Sequence, residues 1–203
     1  MLKATEADYS YRQDILLQTL SESGGITAQL HRVSEVTYDD LGKRVERIIE
    51  FPPSRLVSAL GLMKPDFKSL VGVEPFFMTA ETLSRSSVKF AERQKVDELN
   101  TYVFDLEVPA PKKKEKDKEK DIWPFKGRVW IDDQDFQIVK IEGQAVTEKK
   151  DRQRFPKFEC YRDYVDGKFW LPSFVYGEDV LNFPRFDLPV KLKITYSEYK
   201  RVK

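Results

Sequence analysis

The chain is poor in the residues from which metal centres and most catalytic sites are built. In 203 residues there is one cysteine, Cys160, and one histidine, His31. A single cysteine excludes an internal disulfide, which fits a reducing compartment and equally fits a large exported domain that needs no staple. His31 stands beside Arg32 with no cysteine or second histidine near it, so the spacing of a zinc site is missing. The GxSxG, P-loop and GxGxxG patterns are absent. No run approaches the ~20 apolar residues of a membrane span. Neither charge sign dominates: 35 Lys and Arg face 34 Asp and Glu, a formal net charge of +1. Such a chain has no global field to collect nucleic acid or an anionic membrane. Residues 1–13 carry no apolar h-region, so no export signal is read in this stretch.

What is present is a β-rich pattern. Hydrophobic residues make up 40% and aromatics 13%, too rich for disorder and suited to a β core or an apolar cavity. The length predicts one domain, 1–203. The centre is Phe125 to Gly143, read as strand, turn, strand. Val129 and Ile131 alternate with Arg128, Trp130 and Asp132, the two-residue period of a half-buried strand. Asp132, Asp133, Gln134 and Asp135 supply side chains that cap their own backbone in a turn. Phe136, Ile138, Val139 and Ile141 then resume the apolar run. A lone hairpin is marginal in water, so further strands must cover it.

Those strands follow in order. Tyr9 to Leu20 places Tyr9, Tyr11, Gln13, Ile15 and Leu17 on one face, and Ser23-Gly24-Gly25 turns it into Ile26 to Tyr38. Lys43 to Phe51 completes a meander and Pro52-Pro53 stops it. Further strands are predicted at 81–83, 88–94, 99–108 and 158–165. Asp166-Gly167, a two-residue hairpin signal, leads to a strand over 168–176. Pro184 and Pro189 bracket a loop, and Val190 to Tyr199 closes the chain with Val190, Leu192, Ile194 and Tyr196 on one face. Nine to eleven strands result, with a short extended piece at 75–78.

One stretch breaks the period. After Ser54, a candidate N-cap, Leu56, Leu60, Met63, Phe67, Leu70 and Val71 recur every three or four residues, the stripe of an amphipathic helix split by Pro65. It reads as a plug on one sheet face or as a lid over a cavity. The run KKKEKDKEKD, in a loop bounded at 111–122, mixes both signs without an apolar residue and predicts a solvated, flexible connection. A second polar connection covers 145–154.

Individual candidates resolve into ordinary roles. Asp132, Asp133 and Asp135 resemble the start of a calcium loop, but the required glycine and bidentate glutamate do not follow. Cys160 reads as a packed thiol and His31 as an exposed strand residue. The feature left over is an aromatic load on both faces of the strand 168–176: Phe169 and Leu171 against Trp170, Phe174 and Tyr176. A strand wetted on one side carries no such load, so either another element covers the second face or that face lines an apolar cavity. Leu56, Leu60, Met63, Phe67, Trp130, Phe169, Trp170, Phe174 and Tyr176 are the ligand-binding candidates; no catalytic or metal residue and no cofactor is read.

The C-terminal third carries a resemblance. GRVWIDDQDFQIVKIEG (127–143), FPKFECYRDYVDGKFWLPSFVYGE (155–178) and VKLKITYSEYKRV (190–202) together resemble the outer-membrane lipoprotein-sorting-protein superfamily of lipoprotein-carrier-like proteins. That resemblance implies a mostly β, α+β fold: a large curved antiparallel sheet, an incomplete barrel, with short helices packed on its concave side. It also implies a periplasmic setting reached by a signal peptide, acyl chains held on the concave side and no enzymatic activity. The same architecture serves a periplasmic regulator that senses envelope stress. The leading reading is therefore a non-enzymatic periplasmic binding protein with an apolar cleft for a lipid or acylated lipoprotein. The alternative is an envelope interaction or stress-sensing module with a filled core and an envelope protein partner. Nucleic acid is not expected as a partner.

Overall fold

The computed structural model describes residues 8–40, 44–56, 84–109, 125–146, 156–183 and 186–202. They form ten strands: β1 (Tyr9–Leu20), β2 (Ile26–Tyr38), β3 (Arg44–Glu50), β4 (Ser87–Val96), β5 (Leu99–Val108), β6 (Phe125–Asp132), β7 (Ile138–Ala145), β8 (Phe158–Val165), β9 (Phe169–Phe183) and β10 (Phe186–Arg201). All belong to one open antiparallel sheet ordered β3-β2-β1-β10-β9-β8-β7-β6-β5-β4. Two meanders are joined where the first strand pairs with the last, Ile15 opposite Ile194 and Leu17 opposite Leu192. Consecutive strands β3 and β4 therefore lie at opposite edges of the sheet.

Alternation decides the faces. On β1 every second residue from Tyr9 to Thr19 is buried, and on β10 Val190, Leu192, Ile194 and Tyr196 are. A single apolar cluster runs from these strands to Leu30 and Val36 of β2, Leu106 and Val108 of β5, Ile141 of β7 and Val175 of β9, and takes in Leu56 just after β3. We call this the core face. Burying a leucine or isoleucine there stabilises the fold by roughly 1.5–3 kcal/mol each.

The turns follow their chemistry. Asp132 Oδ2 accepts the backbone N–H groups of Gln134 and Asp135 at 3.1 and 3.0 Å, and Asp135 Oδ1 accepts that of Gln137 at 2.9 Å. Phe136 belongs to this turn and not to the strand expected there: it has φ 56° and its side chain is 70% exposed. The carboxylates hold the turn two residues longer than the apolar run suggests, so β7 begins at Ile138. Asp166 and Gly167 both have positive φ, as a two-residue hairpin with the right-handed strand twist requires.

Three expectations change. β9 continues to Phe183 and β10 begins at Phe186, so Pro189 lies inside a strand and not at the end of a loop. Pro189 pairs with Val180 of β9, while the β1 ladder ends at Thr19 opposite Val190. The proline thus sits where β10 has run past its other neighbour, a position that tolerates a missing donor. The short helices are not supported: among the described residues no helix is complete, and only Arg55–Leu56 and Ser84–Arg85 are helical. The Ser54 cap is present, its hydroxyl accepting the Leu56 N–H at 3.1 Å. The helical stripe beyond Leu56, the pieces at 75–78 and 81–83, the charged loop 111–122 and residues 147–154 lie outside the described residues.

Candidate functional site

The candidate residues divide between the two faces. Trp130 pairs with Val103 and Lys140, and with Val103 and Val139 it forms a second small cluster, joined by Trp170, on the face away from the core. Phe174 and Tyr176 stand opposite Thr195 and Lys193, between the buried positions of β10, and so share that outer face. Leu56 belongs to the core cluster, and Phe169 meets the ring of Tyr9 edge-on at 6.3 Å. Leu60, Met63 and Phe67 lie outside the described residues. The fold thus brings Leu56 to the core face, sets Trp130, Trp170, Phe174 and Tyr176 apart from it, and places Phe169 beside Tyr9.

Lysines explain the outer aromatics. Lys140 Nζ lies 4.8 Å from the Trp130 ring centroid and 5.0 Å from that of Tyr161. Lys193 covers Phe174 and Lys191 covers Tyr176, each at 5.5 Å. A lysine stem shields apolar surface while its ammonium stays wet and is attracted to the ring. Neither a helix nor a cavity is needed over these rings. Lys140 also bonds Glu142 at 2.7 Å and Glu159 at 3.3 Å. Burial alone lowers its pKa, but the hydrogen bonds to Glu142 and Tyr161 prevail and hold it above the ordinary lysine range. Glu159 is held below the usual carboxylate range, chiefly by the Tyr161 hydroxyl that donates to it at 2.7 Å. Trp170 Nε1 donates to Asp135 at 2.8 Å and its backbone N–H to Gln137, which ties the β6–β7 turn to the β8–β9 hairpin.

The core face is closed at its centre and open at its borders. At the centre, Ile15 of β1, Leu192 and Ile194 of β10 and Val175 of β9 are at most 1% exposed. At the β4 border Val88 and Phe90 are 49% and 51% exposed, although Phe90 pairs with Phe104 and stacks edge-on with it at 5.7 Å. At the β3 border Ile48 is 52% exposed. Beside it lies a polar island: Arg32 and Arg44 both bond Glu46, at 2.9 and 3.2 Å, and Arg44 also donates to the buried Gln13 at 3.0 Å. Burial opposes ionisation of Glu46, yet the Ser34 hydroxyl and the two guanidiniums together prevail and hold its carboxyl below the ordinary range.

Val88 and Phe90 were missed as site residues. Their signal was available in the alternation of Val88-Lys89-Phe90, but nothing local marks a strand as a sheet edge. His31 is not idle: its Nε2 lies 3.0 Å from Asp14 Oδ1 and its Nδ1 3.8 Å from Glu50 Oε1. Cys160 is buried in the core cluster, as a packed thiol would be. Among the described residues no group of ligating side chains could hold a metal ion, and no helix is long and apolar enough to cross a membrane.

No family model matches the chain, and no curated protein matches it. Among solved structures it is similar to a DUF1329 family protein from Desulfovibrio piger, at 9% identity over 99% of this chain and 90% of that one, with a TM-score of 0.49. It is also similar to a LolA superfamily protein from Nitrosomonas europaea, at 12% identity over 99% and 91%, with a TM-score of 0.44. A third is an outer membrane lipoprotein-sorting protein domain from Vibrio parahaemolyticus, at 12% identity over 99% and 91%, with a TM-score of 0.40.

Proposed function

We propose that this chain is a single half-barrel domain that acts as a non-enzymatic periplasmic binding protein, its sheet bending so that the core face takes the acyl chain of a lipid or an acylated lipoprotein. The observation that carries this reading is the β4 border. There the apolar core face continues to the edge of the sheet, and Val88 and Phe90 stay half exposed beside Phe104. Monomeric proteins seldom leave such contiguous apolar surface open without a use. An acyl chain entering here extends a core that is already apolar. The ligand residues we assign are therefore Val88, Phe90 and Phe104 at the border, with Leu56 of the same core cluster. The outer-face aromatics Trp130, Trp170, Phe174 and Tyr176 are left out.

A second reading has its own observation. The centre of the core face is filled by its own side chains, with Ile15, Leu30, Ile141, Val175 and Leu192 at 0% exposure. A filled interior suits an envelope interaction or stress-sensing module that meets a protein partner on its surface. Native mass spectrometry of protein purified gently from an envelope fraction separates the two. Retained lipid, displaced by an added fluorescent fatty acid, is the expected result. A ligand-free mass together with no uptake of the fluorescent probe sinks the acyl-binding reading in favour of the second.

A further inference from the structure

The β4 border carries an arginine whose setting differs from that of the ion-paired arginines of the sheet. Arg93 pairs with Tyr102, which pairs in turn with Ile131, a residue packed on the core cluster, so all three share the core face with Phe90. The Arg93 guanidinium lies over the Tyr102 ring at 4.9 Å and donates to the Tyr102 hydroxyl at 3.4 Å. Other arginines of the sheet are matched to acids: Arg128 to Asp105 and Glu92, Arg47 to Glu35, Arg32 and Arg44 to Glu46. Arg93 has no such carboxylate among the described residues. The nearest acids in the ladder point the other way. Glu92, Asp105 and Glu107 lie with Val103 on the opposite face, and the first two are already engaged by Arg128.

A guanidinium held over an aromatic ring keeps further donors free to meet an anion, and a carboxylate or a phosphate matches its fork. Along the same strand and face stand Phe90 and Val88, apolar and half exposed. From Val88 to Arg93 is five residues, about 16 Å of strand, comparable with a single acyl chain. The bulge between Phe90 and Glu92 lets Phe90 and Arg93 share one face despite their odd spacing.

We propose that this border binds a single-chain amphiphile with an anionic head, its chain on Val88, Phe90 and Phe104 and its carboxylate or phosphate on Arg93. The inference rests on the acyl-binding reading above and adds to it the class of head group. A neutral head would leave Arg93 without a partner; a cationic head would be repelled.

The test compares three probes with one chain: oleic acid, 1-oleoyl-lysophosphatidate and the neutral 1-monooleoylglycerol, titrated calorimetrically into the delipidated full chain. At least one of the two anionic probes should bind about tenfold tighter than the neutral one, the scale of one charge-assisted hydrogen-bonded contact. Whichever it is names the head as carboxylate or phosphate. Arg93→Gln should erase that preference while leaving the neutral probe unchanged; Arg93→Lys should keep part of it; Phe90→Ser should weaken all three. The preference should shrink as salt is raised. Equal binding of charged and neutral probes, or a preference that survives Arg93→Gln, overturns the head-group assignment and leaves acyl binding standing. Failure of every probe to bind overturns both.

Discussion

The two faces of this sheet cover their central aromatic rings in different ways. On the core face rings meet rings: Tyr11 lies 5.7 Å from Tyr196 and 5.4 Å from Tyr199, and Tyr9 lies edge-on to Phe169 and Tyr199. On the outer face rings meet lysines, as in Trp130 and Tyr161 under Lys140, Phe174 under Lys193 and Tyr176 under Lys191. Water is excluded from the first set by packing. From the second it is excluded only by flexible stems whose ammonium groups remain hydrated. An apolar residue on a strand therefore does not by itself mark a core or a cavity; what crosses over it from the neighbouring strand decides.

The contrast can be strained from either side, and the largest effects belong to the core. Gly127 stands opposite Gly143 where β6 and β7 lie close: a Cβ there would lie 1.8 Å from the Glu142 carbonyl oxygen and 2.7 Å from Gly143 Cα. Gly127→Ala must push the two backbones apart, and a loss on the order of 4 kcal/mol in urea unfolding is expected. Leu192→Ala empties a fully buried site between β1 and β9 and should cost about 2–5 kcal/mol by the same measurement.

Lys140→Met probes the outer face. It keeps the stem and removes the ammonium, so about 1–2 kcal/mol should be lost at neutral pH. Because the folded-state pKa of Lys140 is raised, its contribution is complete below the unfolded lysine value of about 10.4 and is lost as pH rises through the higher folded value. The stability gap between wild type and Lys140→Met should therefore hold from pH 7 to about 10 and close only in stronger alkali. A gap that closed near pH 7 would show that the lysine ladder is not what covers these rings. The smallest effect should be a gain. Phe136 is exposed at positive φ, so Phe136→Gly should raise stability by roughly 0.5–1 kcal/mol through relief of backbone strain, seen as a higher melting temperature.

Much of this architecture was legible in advance because its causes are local. The ends of β1, β2, β5 and β8 follow from alternation and turn residues. The buried sides of β1 and β10 follow from Tyr9, Tyr11, Gln13, Ile15 and Leu17, and from Val190, Leu192, Ile194 and Tyr196. The Asp132 and Asp166-Gly167 turns depend on a few adjacent side chains. The candidate site was legible in kind but not in place. Leu56 reached the core face, whereas Trp130, Trp170, Phe174 and Tyr176 lie on the other. Val88 and Phe90 went unnoticed because their exposure comes from β4 standing at the edge of the described sheet, which no local signal marks.

Amino-acid order alone determined which residues are strands, where the chain turns and which alternate positions share a side, since each depends on neighbours a few bonds away. Tertiary structure alone decided that β1 lies against β10, that β3 and β4 are the edges, and that lysines of β7 and β10 lie across rings of β6, β8 and β9. Pairing between strands some 180 residues apart leaves no periodic trace in the chain. A side chain's cover comes from whichever strand the hydrogen-bond ladder sets beside it.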